Sequence, residues 1–466
     1  MAIDTLFKNG RVVTDNGIYK ADVAVTGEKI SLIGAAIKPD PGTNVVDCRG
    51  KLVLPGAIDA HTHLAMPFGG TISTDDYETG TRSAAAGGTT TVFDFILQDF
   101  GETFPDAIRR RDAIAAPQAV VDYSFHLAVK DVEGKLLYTM EDAVKMGVPS
   151  FKVFMVYDFG VTDGVFYEVL DHSKSIGALI AVHAENNELV KYLTNKYVSE
   201  KKLSAWYHYM SRPEFVEGEA DVRAIQWAKN AGAALYIVHL ATKQGVEAVT
   251  QARDEGYPIF AETCPQYLNF TSDVYKRPDG INFVCSPPIK GKASQQALWD
   301  GIIRGDISTV ATDHCPFKKS EKKWGAKDFR TIPNGCAGIE HMYPYMLSEA
   351  NKGRISFPKA VELCATSVAK IFGCSHKKGA IEVGRDADIV VYDPKKNVTI
   401  TSKNLHGALD HTIWEGVQCK GYPVQTWSRG NLIFKDGKFF GSKGAGKFVA
   451  CKPINLKSPD LRSIKK

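Results

Sequence analysis

Four histidines, one aspartate and one lysine stand where they could run a metal-dependent reaction. His61 and His63 form a His-x-His pair, His183 and His239 each end an apolar run, and Asp313 ends another. Side chains two apart on a strand share a face, so both imidazoles of the pair can reach one ion. Taken singly, each has a plain structural reading. A histidine at a strand end is often just hydrogen-bonded, and the aspartate in Ala-Thr-Asp-His-Cys could cap a helix. The argument for a metal site is their coincidence at the ends of separate apolar runs. Of the other histidines, His126 reads as core, His172 and His376 as exposed, and His314 as structural, pointing away from Asp313.

Lys152 sits inside the apolar run Ser-Phe-Lys-Val-Phe-Met. A buried ammonium is unstable, and two nearby cations would make it worse. A neutral amine can instead take up CO₂ as a carbamate, whose two oxygens can bridge a metal pair about 3.5–4 Å apart. The expected assignment is two Zn²⁺ ions. His61, His63 and Asp313 hold one, His183 and His239 the other, and carbamylated Lys152 and a hydroxide bridge them. The alternative is that Lys152 snorkels to solvent at the strand end.

These residues need a scaffold that gathers strand ends. Eight short apolar runs, each ending in polar residues, alternate with helix-like stretches. They are GAIDAHTHL, TTTVFDF, YSFHLAV, SFKVFMVY, ALIAVHAE, ALYIVHLA, PIFAETCP and STVATDHC. Helical patterns such as DAIRRRDAIAA and QGVEAVTQARDEG lie between them. The pattern predicts an α/β protein, a parallel (β/α)₈ barrel of TIM type whose site lies at the C-terminal ends of the strands. Both chain ends have a different texture, with short β-branched runs and Asn-Gly turns. They predict one small β-sandwich built from residues 1–53 and 377–450, around a barrel over 54–376. Residues 451–466 are left as a tail, and the basic stretch from Lys447 onward reads as solvated, with packing on a neighbouring subunit as the alternative.

Bulk properties exclude several classes. The 466 residues carry a net charge of only +4, so nothing points to nucleic acid or to an anionic membrane. No apolar stretch reaches the roughly 20 residues of a membrane helix. Nine cysteines without a CxxC pair argue against a disulfide framework or a Cys-based zinc finger. With no signal-like N-terminus, a cytoplasmic location is expected.

The motifs LPGAIDAHTHLAMPFGG, AGGTTTVFDF, SFKVFMVY, AVHAEN, AETCPQYL, CSPPIK, ATDHCPF, IPNG and KGAIEVGRDADIVVYDP resemble the amidohydrolase superfamily, and more closely its dihydropyrimidinase and D-hydantoinase branch. The likeness runs over nearly the whole chain. It implies a barrel plus β-sandwich, a binuclear zinc centre with a carboxylated lysine, and a homotetramer. The branch's ligand positions match His61, His63, Lys152, His183, His239 and Asp313. Its oxyanion-stabilising tyrosine matches Tyr157, and its ring-amide recognition residues match Ser286 and Asn334. By their own residue types, Ser-Pro-Pro and Pro-Asn-Gly are ordinary turn formers. One departure is His341-Met342 in GIEHMYPYM, where relatives carry an acidic-Arg pair; it bears on packing or an interface, not on the reaction.

The expected reaction is hydrolysis of a dihydropyrimidine or 5-substituted hydantoin to an N-carbamoyl amino acid. A bridging hydroxide attacks, Asp313 acts as base and then acid, and Tyr157 steadies the oxyanion. Met66, Phe68, Phe95, Phe159 and Val161 are expected to shape the pocket for a ring substituent, or only to pack its loops. The alternatives are a mononuclear deaminase on the same fold, an allantoinase- or dihydroorotase-like hydrolase, and a non-catalytic cytoskeletal-binding relative.

Overall fold

The computed structural model describes residues 2–457. All eight apolar runs form parallel strands of one eight-stranded sheet, in sequential order. We number them β1 (Ala57–Thr62), β2 (Thr89–Leu97), β3 (Asp122–Ala128), β4 (Ser150–Phe154), β5 (Leu179–His183), β6 (Leu235–Ile237), β7 (Ile259–Thr263) and β8 (Thr309–Val310). Nearly every residue in them is buried, as expected for strands covered on both faces. The ring closes just beyond β8. There Thr62 bridges His314 in parallel, and the His314 N–H donates to the His61 carbonyl at 3.2 Å.

Helices fill the connections. Their ends obey local chemistry: Asp76 caps α1 (Tyr77–Gly87) in a capping box with Thr79. Thr162 caps α4 (Asp163–Ile176), which ends at the left-handed Gly177. The long segment after β5 carries three helices, α5 (Asn187–Ser199), α6 (Ala205–Met210) and α7 (Glu214–Ala231). With α2 (Phe104–Ala115), α3 (Thr139–Lys145) and α8 (Lys243–Asp254) they surround the sheet.

Both chain ends share one β-rich unit. In its seven-stranded sheet, the N-terminal strand Leu52–Pro55 pairs with the C-terminal strand Ile389–Asp393. A four-stranded sheet holds Thr5–Lys8, Asp22–Thr26, Lys29–Gly34 and Asn44–Asp47. Phe7, Val12, Val25, Ile30, Val53, Ile389 and Trp427 pack between the two sheets.

The C-terminal stretch departs from the solvated reading. Residues 446–454 run across the N-terminal end of the barrel. Tyr123 N–H donates to Lys447 O, Cys451 N–H to Gly147 O, and Ile454 N–H to Gly177 O. Val449 and Cys451 are buried against Phe93, Leu179, Phe260 and Phe372. The unbroken apolar run Phe448-Val449-Ala450-Cys451 between two lysines was the missed signal. Residues 458–466 of the expected tail lie outside the described residues. His172 is half-buried, not exposed, and packs edge-on against Tyr138.

Candidate metal centre and substrate pocket

Six residues from five strands of one barrel end meet at a point. His61 ends β1, with His63 just beyond it, and Lys152 lies in β4. His183 ends β5, while His239 and Asp313 follow β6 and β8. One Asp313 carboxylate oxygen lies 3.2 Å from His61 Nε2 and 3.1 Å from His63 Nε2. Lys152 Nζ sits 2.9 Å from His61 Nε2. The His183 and His239 rings meet edge-on at 4.5 Å, and the His239 ring stacks at 5.4 Å from His61.

Lys152 does not snorkel. Its side chain is buried, with the ammonium 4.3 Å from the Phe95 ring centre and 4.8 Å from that of Phe154. Burial brings its amine down to about 8. Burial also holds the His61, His183 and His239 imidazoles below their ordinary value, the neutral ligand form. Burial works against ionisation of Asp313, but its close contacts with His61, His63 and Lys152 outweigh it and hold the carboxyl at about 2.

The donor set fits a metal. The ligand atoms of His61, His63 and Asp313 lie within 4.8 Å of one another. Buried His63 Nδ1 and His239 Nδ1 have no hydrogen-bond partner. The other two rings carry the outer carboxylates that ligating histidines use for orientation. His61 Nδ1 meets Glu262 at 2.7 Å, and His183 Nε2 meets Glu185 at 2.8 Å. Glu262 and Glu185 were missed in the sequence, although a glutamate inside the apolar run Ile-Phe-Ala-Glu-Thr was a legible signal. A second acidic trio, Asp122, Asp386 and Asp388, is already filled by cations: the Lys378 ammonium lies 2.5–2.9 Å from all three, Lys29 pairs with Asp386 and Arg429 with Asp122.

Above these residues opens a pocket whose floor is formed by His63, Lys152, His183, His239 and Asp313. Met66, Phe68, Leu97 and Phe159 give it an apolar wall. Phe95 and Val161 are not in that wall: Phe95 lies under the lysine, and Val161 packs into the core. Tyr157, Ser286 and Asn334 line the pocket. Asn334 Nδ2 donates to Ser286 Oγ at 3.2 Å, and the buried Asn334 Oδ1 has no partner. The Tyr157 hydroxyl is within hydrogen-bonding reach of Ser286, and burial pushes its phenol above its ordinary value.

The remaining histidines take structural places. His126 bonds Ser150 Oγ and the Ala60 carbonyl, and His314 bonds Asp75. His341 packs on Trp414 of the same chain.

Residues 52–433 match the Amidohydrolase family. The chain is 41% identical over 451 residues to a D-hydantoinase of Geobacillus stearothermophilus, covering 95% of this chain and 96% of that protein. It is 39% identical over 452 residues to a D-hydantoinase of Ralstonia pickettii, covering 96% and 98% of the two chains. The crystal structure of a dihydropyrimidinase from Brevibacillus agri NCHU1002 superposes with a TM-score of 0.95 at 40% identity, covering 97% of this chain and 99% of that one. Likeness in sequence and backbone from one end to the other makes this chain a member of the amidohydrolase family.

Proposed function

We propose that this protein hydrolyses cyclic amides, opening hydantoins and dihydropyrimidines to N-carbamoyl amino acids. The observation that carries this reading is the convergence of His61, His63, Lys152, His183, His239 and Asp313 under a pocket lined by both polar and apolar side chains. His61, His63 and Asp313 would hold one Zn²⁺, and His183 and His239 a second. Lys152, as its carbamate, would join the two positions. Bound there, the ions supply an acidified water and a Lewis acid for the amide carbonyl.

The chain's own groups do the rest. Asp313, ionised and at the pocket floor, accepts the proton of the attacking water and returns it to the leaving ring nitrogen. Tyr157 keeps its phenolic proton and donates a hydrogen bond to the carbonyl oxygen as charge develops. Asn334 Oδ1, buried without a partner, and Ser286 receive the ring amide. Met66, Phe68, Leu97 and Phe159 take the ring substituent and exclude water. The family resemblance also supports a homotetramer in the cytoplasm, which sedimentation and cell fractionation test.

The deciding experiment offers dihydrouracil, hydantoin, 5-phenylhydantoin, allantoin and dihydroorotate to the metal-loaded protein. Ring opening of the first three to N-carbamoyl products, with two metal ions per chain, is the expected result. Ammonia release, or no ring opening, would overturn it. Lys152→Ala should lose two-metal loading, and a short carboxylic acid should restore part of it.

A further inference from the structure

Behind His183 and His239 lies a chain of buried ions that the reaction itself does not use. The Glu185 oxygen that meets His183 Nε2 also accepts from Arg212 Nη1 at 2.5 Å. The Arg212 carbonyl, between α6 and α7, accepts from Lys290 Nζ at 2.8 Å. Lys290 lies 3.5 Å from Glu217 on α7, and the other Glu217 oxygen accepts the Ala241 N–H at 2.7 Å. Ala241 is two residues past His239, and Lys290 is four past Ser286. All four charged side chains are at least nine-tenths buried. The path therefore runs from the His183 ring to the backbone two residues past His239, through Glu185, Arg212, Lys290 and Glu217, with the Arg212 carbonyl as the link between the two cations.

Such a chain is costly to bury: burial works against the Glu185 charge, but Arg212 and His183 outweigh it, whereas burial pushes the Glu217 carboxyl up to about 7 despite Lys290. Asp221, one turn along α7 from Glu217, is kept a neutral acid by burial and by the Glu217 charge. The Arg212 guanidinium also lies 5.8 Å from the centre of the Tyr157 ring. Hydrophobic residues would fill the same space with less penalty, so the arrangement needs a reason beyond packing. Orientation of the two histidines supplies one. The His61 side of the centre has three protein ligands of its own. The other side has only two histidines, and His239 leaves its strand at a strained φ of 40°. A position with fewer ligands depends more on what holds each ligand still.

We infer that Glu185, Arg212, Lys290 and Glu217 form a brace that sets how tightly the His183–His239 position holds its ion, separately from the His61–His63–Asp313 position. The inference rests on the two-ion reading proposed above. These four are positioning residues. Glu262 stands outside the brace because it touches both sides, bonding the His61 ring and the His239 N–H.

The test titrates zinc out of the full-length protein with graded chelator and counts ions per chain by mass spectrometry. Glu185→Gln keeps the shape and removes the charge, and Arg212→Lys keeps the charge and removes the fork. Both should retain one ion at wild-type affinity and hold the second about 10–100-fold more weakly, with Glu185→Gln the more affected. Glu217→Gln should shift the second ion in the same direction by less. The retained ion and an unchanged circular dichroism spectrum report that each variant is folded. Two ions held as tightly as in the wild type, or both weakened together, would overturn the brace while leaving the hydrolase reading intact. A wild-type chain that binds a single ion would instead overturn the two-ion reading, and the brace with it.

Discussion

At the scale of single residues, Lys152 and Tyr157 do opposite things with a proton. On the proposed carbamate reading Lys152 would have to lose one, because only a neutral amine attacks CO₂. Burial brings that amine down to about 8, so its neutral form is appreciable near neutrality. In metal-free protein at fixed dissolved CO₂, carbamate formation should speed up about tenfold per pH unit below pH 8 and level off above it. Carbon-13 NMR with labelled CO₂ reads this directly. A pH-independent rate would remove the buried amine from the account. In the proposed reaction Tyr157 would keep its proton, and burial, which raises its phenol, favours that. Tyr157→Phe should lower kcat by about 10²–10³ with little change in KM, as for loss of one oxyanion donor. An unchanged kcat would place the hydroxyl outside the reaction.

At the scale of elements, the reactive end and the stabilising end of the barrel are separate. The strand ends hold the proposed metal-centre residues, and four of the nine non-glycine residues with positive φ among the described residues lie here: Ala65, Tyr157, His239 and Asp313. Each strained backbone costs about 1–3 kcal/mol and must be held by its surroundings. The opposite end is covered by residues 446–454. Truncation after Ala445 removes Val449 and Cys451 from the core, and the valine alone should cost about 1.5–3 kcal/mol. Thermal unfolding should show a clear drop in Tm while KM stays at its wild-type value. A changed KM would mean that the strap reaches the site through the barrel.

At the scale of the whole molecule, barrel and β-rich unit are locked by one buried cation. Lys378 bonds Asp122 at the start of β3 and Asp386 and Asp388 before the strand Ile389–Asp393, while Arg429 adds a second bond to Asp122. Removing one partner of a buried pair typically costs about 3–5 kcal/mol, so Lys378→Met should destabilise by that order in chemical denaturation. The pH dependence follows from the directions of the shifts. Burial opposes the Lys378 charge, but the three carboxylates raise its ammonium above 10.5, so its contribution is complete below that pH. Burial opposes ionisation of Asp386, but Lys378 and Lys29 hold it below 3.8, so its contribution is complete above 3.8 and is lost as pH falls further. Tm should hold through neutrality and fall below about pH 4, and Lys378→Met should flatten that acid limb.

The alternation of buried runs with helical patterns determined the barrel, because strands covered on both faces must be apolar throughout and end where polar chemistry begins. His-x-His and a lysine in an apolar run were legible for the same reason: such residues are expensive where the pattern puts them. Other features existed only once the chain had closed on itself. Asp313 and His63, 250 residues apart, meet because the eighth strand seals against the first. Glu262 and Arg212 acquire their partners His61 and Glu185 only across neighbouring strands and loops, and Phe95 turned out to be a floor under Lys152, not a pocket wall. Periodicity reports which face of an element is buried, but only three-dimensional closure decides which buried charges lie within bonding distance.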